Sequence, residues 1–251
     1  MFSLVKWYGD CVSEEGEAFV GYWAELRWRG LHIRYASRLG ANGDRTTLRA
    51  GEGPVQTGGG YQWREPSIGI EGRWTPIVPA YSATVYADQS GGIEWNCVAP
   101  AARARVDGRE GLGYLERIEM TVAPWALPIE TLLWGRYLAH GESVVWIDWR
   151  GKFERRLVLR NGLAVEAEQI DEAGLRLRSG ETYEFDRGRT LRAGAIGANV
   201  LSKIPGVKQL APLRLMQIEE QKWLSRGRSL MGQRVASEGW AIHEVVTWPP
   251  R

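Results

Sequence analysis

A chain of 251 residues can bury one large core or two small ones. Its 32 Lys and Arg against 30 Asp and Glu leave a formal charge of +2, which gives no footing for nucleic acid, whose phosphates call for a clustered positive excess. Two cysteines, Cys11 and Cys97, are too few for a disulfide scaffold and read as reduced thiols, with pairing as the alternative.

The apolar opening from Met1 to Val5 is broken by Lys6 and Asp10 and is no secretory signal. No run approaches the ~18 apolar residues of a membrane helix, so the cytoplasm is the expected compartment. The composition is unusual in one respect. Thirteen Trp and nine Tyr stand against four Phe. Aromatics with a polar handle suit strands, and they suit apolar surfaces that must orient a ligand.

In chain order the pattern is strand after strand. Val5 to Tyr8 begins one. Phe19 to Trp28 alternates, with Val20, Tyr22, Ala24, Leu26 and Trp28 on one face and Gly21, Trp23, Glu25 and Arg27 on the other. Gly30 turns the chain, and Leu31 to Ala36 returns. Residues 40 to 60 are turn-rich, and the triplet Gly58-Gly59-Gly60 reads as a surface loop, since it lacks the strand, helix and Lys-Ser pair of a phosphate loop. Tyr61 to Trp74, Tyr81 to Ala87 and Ile93 to Val98 follow, and Ala101 to Arg105 reads as strand carried past Pro100.

Gly108 to Gly151 is the densest stretch, mixing aromatic, β-branched and charged residues. Asn161-Gly162 is the strongest two-residue hairpin signal in the chain. Ala195 to Ile204 has the look of a helical turn or two. Leu213 to Trp223 reads as an alternating strand, and Gly239 to Trp248 is a long final strand stopped by Pro249-Pro250. This gives roughly 14 to 18 strand candidates and no long helix, in line with an all-β architecture. Since about eight strands close one small barrel, two calycin-like antiparallel barrels fit better than one, and a single flattened sheet is the alternative. The seam is expected between 118 and 119. Domains of 1–118 and 119–251 would then pack closely, because no linker composition separates them. The two halves show no convincing sequence repeat.

Gly111-Leu112-Gly113-Tyr114-Leu115-Glu116, followed by Trp134-Gly135-Arg136, resembles the central motif of the carotenoid 1,2-hydratase and AttH-like superfamily, which is related to the tocopherol cyclases. That family's pattern continues with Asn-Trp-Gly or Asp-Trp-Gly, where this chain has Arg117-Ile118-Glu119. The resemblance implies two lipocalin-like β-barrel domains. It also implies acid-assisted hydration, cyclisation or isomerisation of a carbon–carbon double bond in an isoprenoid or polyketide-like substrate. Glu116 matches the motif glutamate.

The usual catalytic groupings are otherwise missing. His32, His140 and His243 are far apart with no metal-binding spacing, so no metal and no cofactor are expected. No Gly-x-Ser-x-Gly occurs. What remains is carboxylates among aromatics. Glu116 shares a strand face with Tyr114, and Asp148 shares one with Trp146. An acid in an apolar pocket holds its proton, and aromatic faces support a nearby positive charge, which is what protonating an alkene requires. The candidate catalytic residues are therefore Glu116, His243 and Asp148. The candidate ligand-binding residues are Tyr22, Trp23, Trp28, Trp95, Tyr114, Trp134, Arg136 and Trp146. Each has a plainer reading as sheet core or ion pair; Glu116 in particular could pair with Arg117 or Arg136. Three functions stay open: an enzyme on a hydrophobic small molecule, a non-catalytic carrier of one, and a structural module with filled barrels.

Overall fold

The computed structural model describes residues 2–39, 44–186, 188–196 and 212–250. The chain divides into two compact units, Met1–Ala123 and Pro124–Arg251. The seam lies beyond the expected 118/119 boundary because the strand there runs on, with Ile118, Glu119 and Met120 still paired to Lys6, Val5 and Leu4.

The first unit holds β1 (Phe2–Val12), β2 (Ala18–Trp28), β3 (Leu31–Leu39), β4 (Arg45–Thr47), β5 (Val55–Thr57), β6 (Gly60–Glu65), β7 (Ile70–Pro76), β8 (Tyr81–Asp88), β9 (Gly91–Val106) and β10 (Arg109–Met120). They form one antiparallel sheet in the order β4-β3-β2-β1-β10-β9-β7-β6-β5, with β8 also paired to β9. The second unit holds β11 (Ile129–Ala139), β12 (Glu142–Gly151), β13 (Arg155–Arg160), β14 (Leu163–Val165), β15 (Ala167–Asp171), β16 (Gly174–Leu177), β17 (Glu181–Phe185), β18 (Arg189–Ala195), β19 (Glu219–Met231) and β20 (Arg234–Thr247). Its order is β14-β13-β12-β11-β20-β19-β17-β16-β15, with β18 paired to β19. The two orders are the same, strand for strand. The repeat absent from the sequence is present in the topology.

Turn chemistry explains several connections. Asn161 and Gly162 both take positive φ, 51° and 78°, and close the β13–β14 hairpin as a two-residue turn. Gly58 and Gly59 do the same between β5 and β6, so the glycine triplet is hairpin punctuation. Pro100 lies within β9, where the pairing with β10 skips from Ala99 to Ala102 against Leu115 and Gly113. A bulge is where a residue without an N–H is tolerated in a paired strand. The stretch expected as a strand from Leu213 is different. Leu213–Met216 is a short helix, and β19 begins only at Glu219. Leu-Arg-Leu-Met has good helix formers, and Leu213 is largely exposed, so no sheet face claims its side chain. The helical turns expected over 195 to 204 lie almost wholly outside the described residues.

Each sheet curls around its own apolar core. In the first unit Cys11, Phe19, Trp23, Trp63, Trp74 and Leu115 fill it. In the second Tyr137, Trp146, Leu177, Tyr183 and Phe185 do. Alternation sends the intervening residues to the opposite sheet face. On β1, β2, β10, β11 and β20 much of that face is buried as well. No helix among the described residues is long and apolar enough to cross a membrane.

Candidate active site

The sequence-predicted residues fall into separate environments, and one of these is organised around Glu116. On β10 the side chains of Tyr114 and Glu116 share the face opposite the barrel core. Glu116 is only 4% exposed, and its Oε2 accepts from the Tyr114 hydroxyl at 2.7 Å and from Trp95 Nε1 on β9 at 2.6 Å. The register places Tyr8 of β1 directly across from Glu116, and Asp10 across from Tyr114. Tyr8 donates to Asp10 Oδ2 at 3.0 Å. Two Tyr-x-acid pairs thus run antiparallel, each phenol facing the other strand's acid. Tyr22 of β2 lies opposite Tyr8, with ring centroids 5.3 Å apart, and Tyr8 lies 5.9 Å from Tyr114. Desolvation, with the charges of Cys97 and Glu116, raises the Tyr114 phenol well above its usual range. Desolvation likewise holds the Cys97 thiol up, so both stay protonated at neutral pH. The site is a buried acid pair in a wall of phenols and one indole. Arg117 does not serve Glu116; its partner is Glu119.

Tyr8, Asp10 and Cys97 belong to this cluster, and the sequence reading did not select them. Their signal was available as the spacing aromatic-x-acid, which occurs at Tyr8/Asp10 as at Tyr114/Glu116.

The other predicted residues lie elsewhere. Trp23, next in sequence to Tyr22, points into the first barrel core and donates to the Gly51 carbonyl at 2.9 Å. Trp28 lies near the end of β2, buried under the Arg29 guanidinium at 5.1 Å. In the second unit Trp146 and His243 are inside the barrel. His243 Nε2 is 2.8 Å from Ser225 Oγ, and its ring packs 5.2 Å from Phe185 and 5.2 Å from Trp223. Phe185 stacks on Trp146 at 5.5 Å. Gly135 makes this packing fit, since a Cβ there would meet Trp146 at 2.3 Å. Burial, then the nearby Lys222 charge, lowers His243 to about 4, so it is neutral at pH 7. Asp148 is bracketed by Arg150 at 2.7 Å and Arg156 at 3.1 Å. Arg136 is fully buried and donates to the Trp240 carbonyl at 2.7 Å. Trp134 lies on the same face and carries the Lys222 ammonium 4.8 Å above its ring. Lys222 in turn pairs with Glu244, and burial together with the Glu244 charge raises Glu220 beside them. Within the second unit, His243 and Asp148 are thus core and ion-pair residues in form. No group of three or more His, Cys, Asp or Glu side chains among the described residues is placed to hold a metal ion.

Two antiparallel, near-barrel sheets of the same strand order define a lipocalin-like double β-barrel protein. No protein-family model matches the sequence, and no curated protein matches it. Solved structures do match the fold. The chain is similar to CghA, with a TM-score of 0.61 at 11% identity over 98% of this chain and 88% of that one. A CghA structure with Sch210972 matches with a TM-score of 0.54. Kievitone hydratase from Nectria haematococca gives a TM-score of 0.55 at 9% identity, over 97% and 88% of the two chains. A putative AttH from Nitrosomonas europaea gives 0.51 at 8%, over 97% and 91%. At these identities the likeness is one of fold.

Proposed function

We propose that the protein binds a hydrophobic, isoprenoid or polyketide-like small molecule on the tyrosine-rich face of its first unit, and that Glu116 catalyses hydration, cyclisation or isomerisation of a carbon–carbon double bond there. The observation that carries this reading is the burial of Glu116 among Tyr8, Tyr114 and Trp95. The reaction starts from a proton on this carboxyl, whose Oε2 accepts from two neutral donors. Delivered to an alkene carbon, it leaves a carbocation beside phenol rings, whose faces attract positive charge. In hydration, water then adds to the cation and its surplus proton returns to the carboxylate, so the acid is regenerated. In isomerisation a neighbouring C–H proton is lost to the same carboxylate. The fold likeness supports the reading from outside the chain, since one similar structure is named a hydratase and another was determined with Sch210972.

A carrier without chemistry is the second reading. It is favoured by the hydrogen bonding of Glu116, because a binding protein keeps its buried carboxylates satisfied. Native mass spectrometry with an extract of apolar metabolites, followed over time, separates the two. A bound species that gains one water, or isomerises, with wild type but not with Glu116→Gln supports the enzyme. A ligand held unchanged and equally by both proteins makes it a carrier. If no apolar ligand is retained, both readings fall.

A further inference from the structure

Lys6, which in the sequence only interrupts an apolar opening, lies on the tyrosine face. Alternation along β1 gives it the same side of the sheet as Tyr8 and Asp10. It is the one basic residue that β1, β2 and β10 carry on that side; their arginines, Arg27, Arg109 and Arg117, have the opposite parity. The register sets Lys6 between Ala24 of β2 and Ile118 of β10. To one side lie Leu4, Leu26 and Met120, apolar and half-buried. To the other lie Tyr8, Tyr22 and Glu116, all buried. Lys6 stands where the apolar margin of the face meets the buried phenols.

A lysine set among apolar groups extends its ammonium to water or to a counter-charge. This one does neither within its own sheet. Its Nζ lies 5.2 Å from the centroid of the Tyr22 ring, a residue only 5% exposed. Among the described residues it makes no ion pair and no hydrogen bond. The nearest carboxyl on this face by register is that of Glu116, diagonal to Lys6 across the β1–β10 pairing. Glu116 Oε2 is bonded to Trp95 of β9, on the far side of β10 from Lys6. The cation is thus folded back over a phenol ring, and its donors are open.

We infer that Lys6 selects the substrate: the apolar molecule bound on this face carries a carboxylate, and Lys6 is its counter-ion. The inference rests on the binding reading given above and adds the chemical class of the ligand. One ammonium matches one negative charge. A monocarboxylate therefore suits the site, whereas a diphosphate calls for several cations. Diagonal neighbours across an antiparallel pair are about 7–8 Å apart, so one small molecule can hold its carboxylate at Lys6 and its double bond at Glu116. Lys6 is then a positioning residue and takes no part in the proton transfer.

Quenching of the tryptophan fluorescence tests this with two matched pairs, farnesoic acid with farnesol and retinoic acid with retinol. The acid of at least one pair should bind about tenfold more tightly than its alcohol. Lys6→Met keeps an apolar stem and removes the charge. It should bring that acid down to the affinity of the alcohol and leave the alcohol's own affinity unchanged, which also shows that the variant is folded. An acid preference that survives in Lys6→Met, or no acid preference in the wild type, overturns the inference and leaves hydrophobic binding standing. If no member of either pair binds, the tyrosine face is not a site for such molecules, and the inference falls together with that reading.

Discussion

Tyr8 and Glu116 face each other across the β1–β10 pairing, while each strand's own hydrogen bond runs along the strand, from Tyr8 to Asp10 and from Tyr114 to Glu116. This crossing turns two ordinary Tyr-x-acid spacings into one four-residue cluster. It also ties each buried phenol to the acid two residues along its own strand.

Tyr114→Phe removes one of the two donors to Glu116 Oε2 and leaves the packing almost unaltered. The expected loss of stability is about 1–3 kcal/mol, since a buried acceptor loses part of its hydrogen bonding. Urea denaturation of the two proteins measures it.

His243 makes stability depend on pH. Its value in the folded protein is about 4, against an ordinary value of 6.5, so between these limits the unfolded chain binds the extra proton. The contribution is therefore complete above pH 6.5 and is lost as the pH falls towards 4. The gap between 6.5 and about 4 corresponds to roughly 3 kcal/mol. His243→Gln should flatten this part of the stability–pH profile, and the His243 imidazole signals of the wild type should titrate near pH 4.

Asp148 separates an ion-pair role from a catalytic one. It is buried, while its partners Arg150 and Arg156 remain partly exposed. Asp148→Asn is expected to lower stability by about 1–3 kcal/mol, as the charge-assisted bonds weaken. Turnover of any substrate should not change. Thermal unfolding and a rate measurement on the same preparation give both readings.

Gly135→Ala tests the packing of the second barrel. The added methyl would lie 2.3 Å from Trp146 and 2.8 Å from the His243 Cβ, which are rigid neighbours on both flanking strands. Overpacking of this kind costs about 1–3 kcal/mol, and chemical denaturation checks it.

The all-β architecture was legible in the sequence because its signals are local. Alternation over Phe19 to Trp28, the Asn161-Gly162 turn and the strand continued past Pro100 all appear where they were expected. Leu213 to Met216 misled because a short Leu/Arg/Met run satisfies period 2 as well as a helical turn. The strand-order repeat was invisible because it is a property of pairing, and the two barrels fill their cores with different side chains, Trp63 and Trp74 in one and Trp146 and Phe185 in the other.

The candidate site was legible only in part, for a reason of parity. Tyr22 and Trp23 cannot face the same way from one strand, so a list of neighbouring aromatics necessarily draws on two environments. Which parity faces the barrel core could not be read, because on these strands both faces are apolar enough to be buried. Asp10, which in the sequence only interrupts an apolar opening, becomes a buried acid through a partner strand more than a hundred residues away.

The most direct test of the central claim is product analysis after incubation in deuterium oxide with apolar alkenes of the isoprenoid and polyketide classes. If Glu116 protonates an alkene carbon, the wild type yields a hydrated, cyclised or isomerised product carrying one solvent deuterium on carbon, and Glu116→Gln yields none at equal ligand occupancy. A product without deuterium on carbon, or equal deuteration by the wild type and Glu116→Gln, contradicts the account.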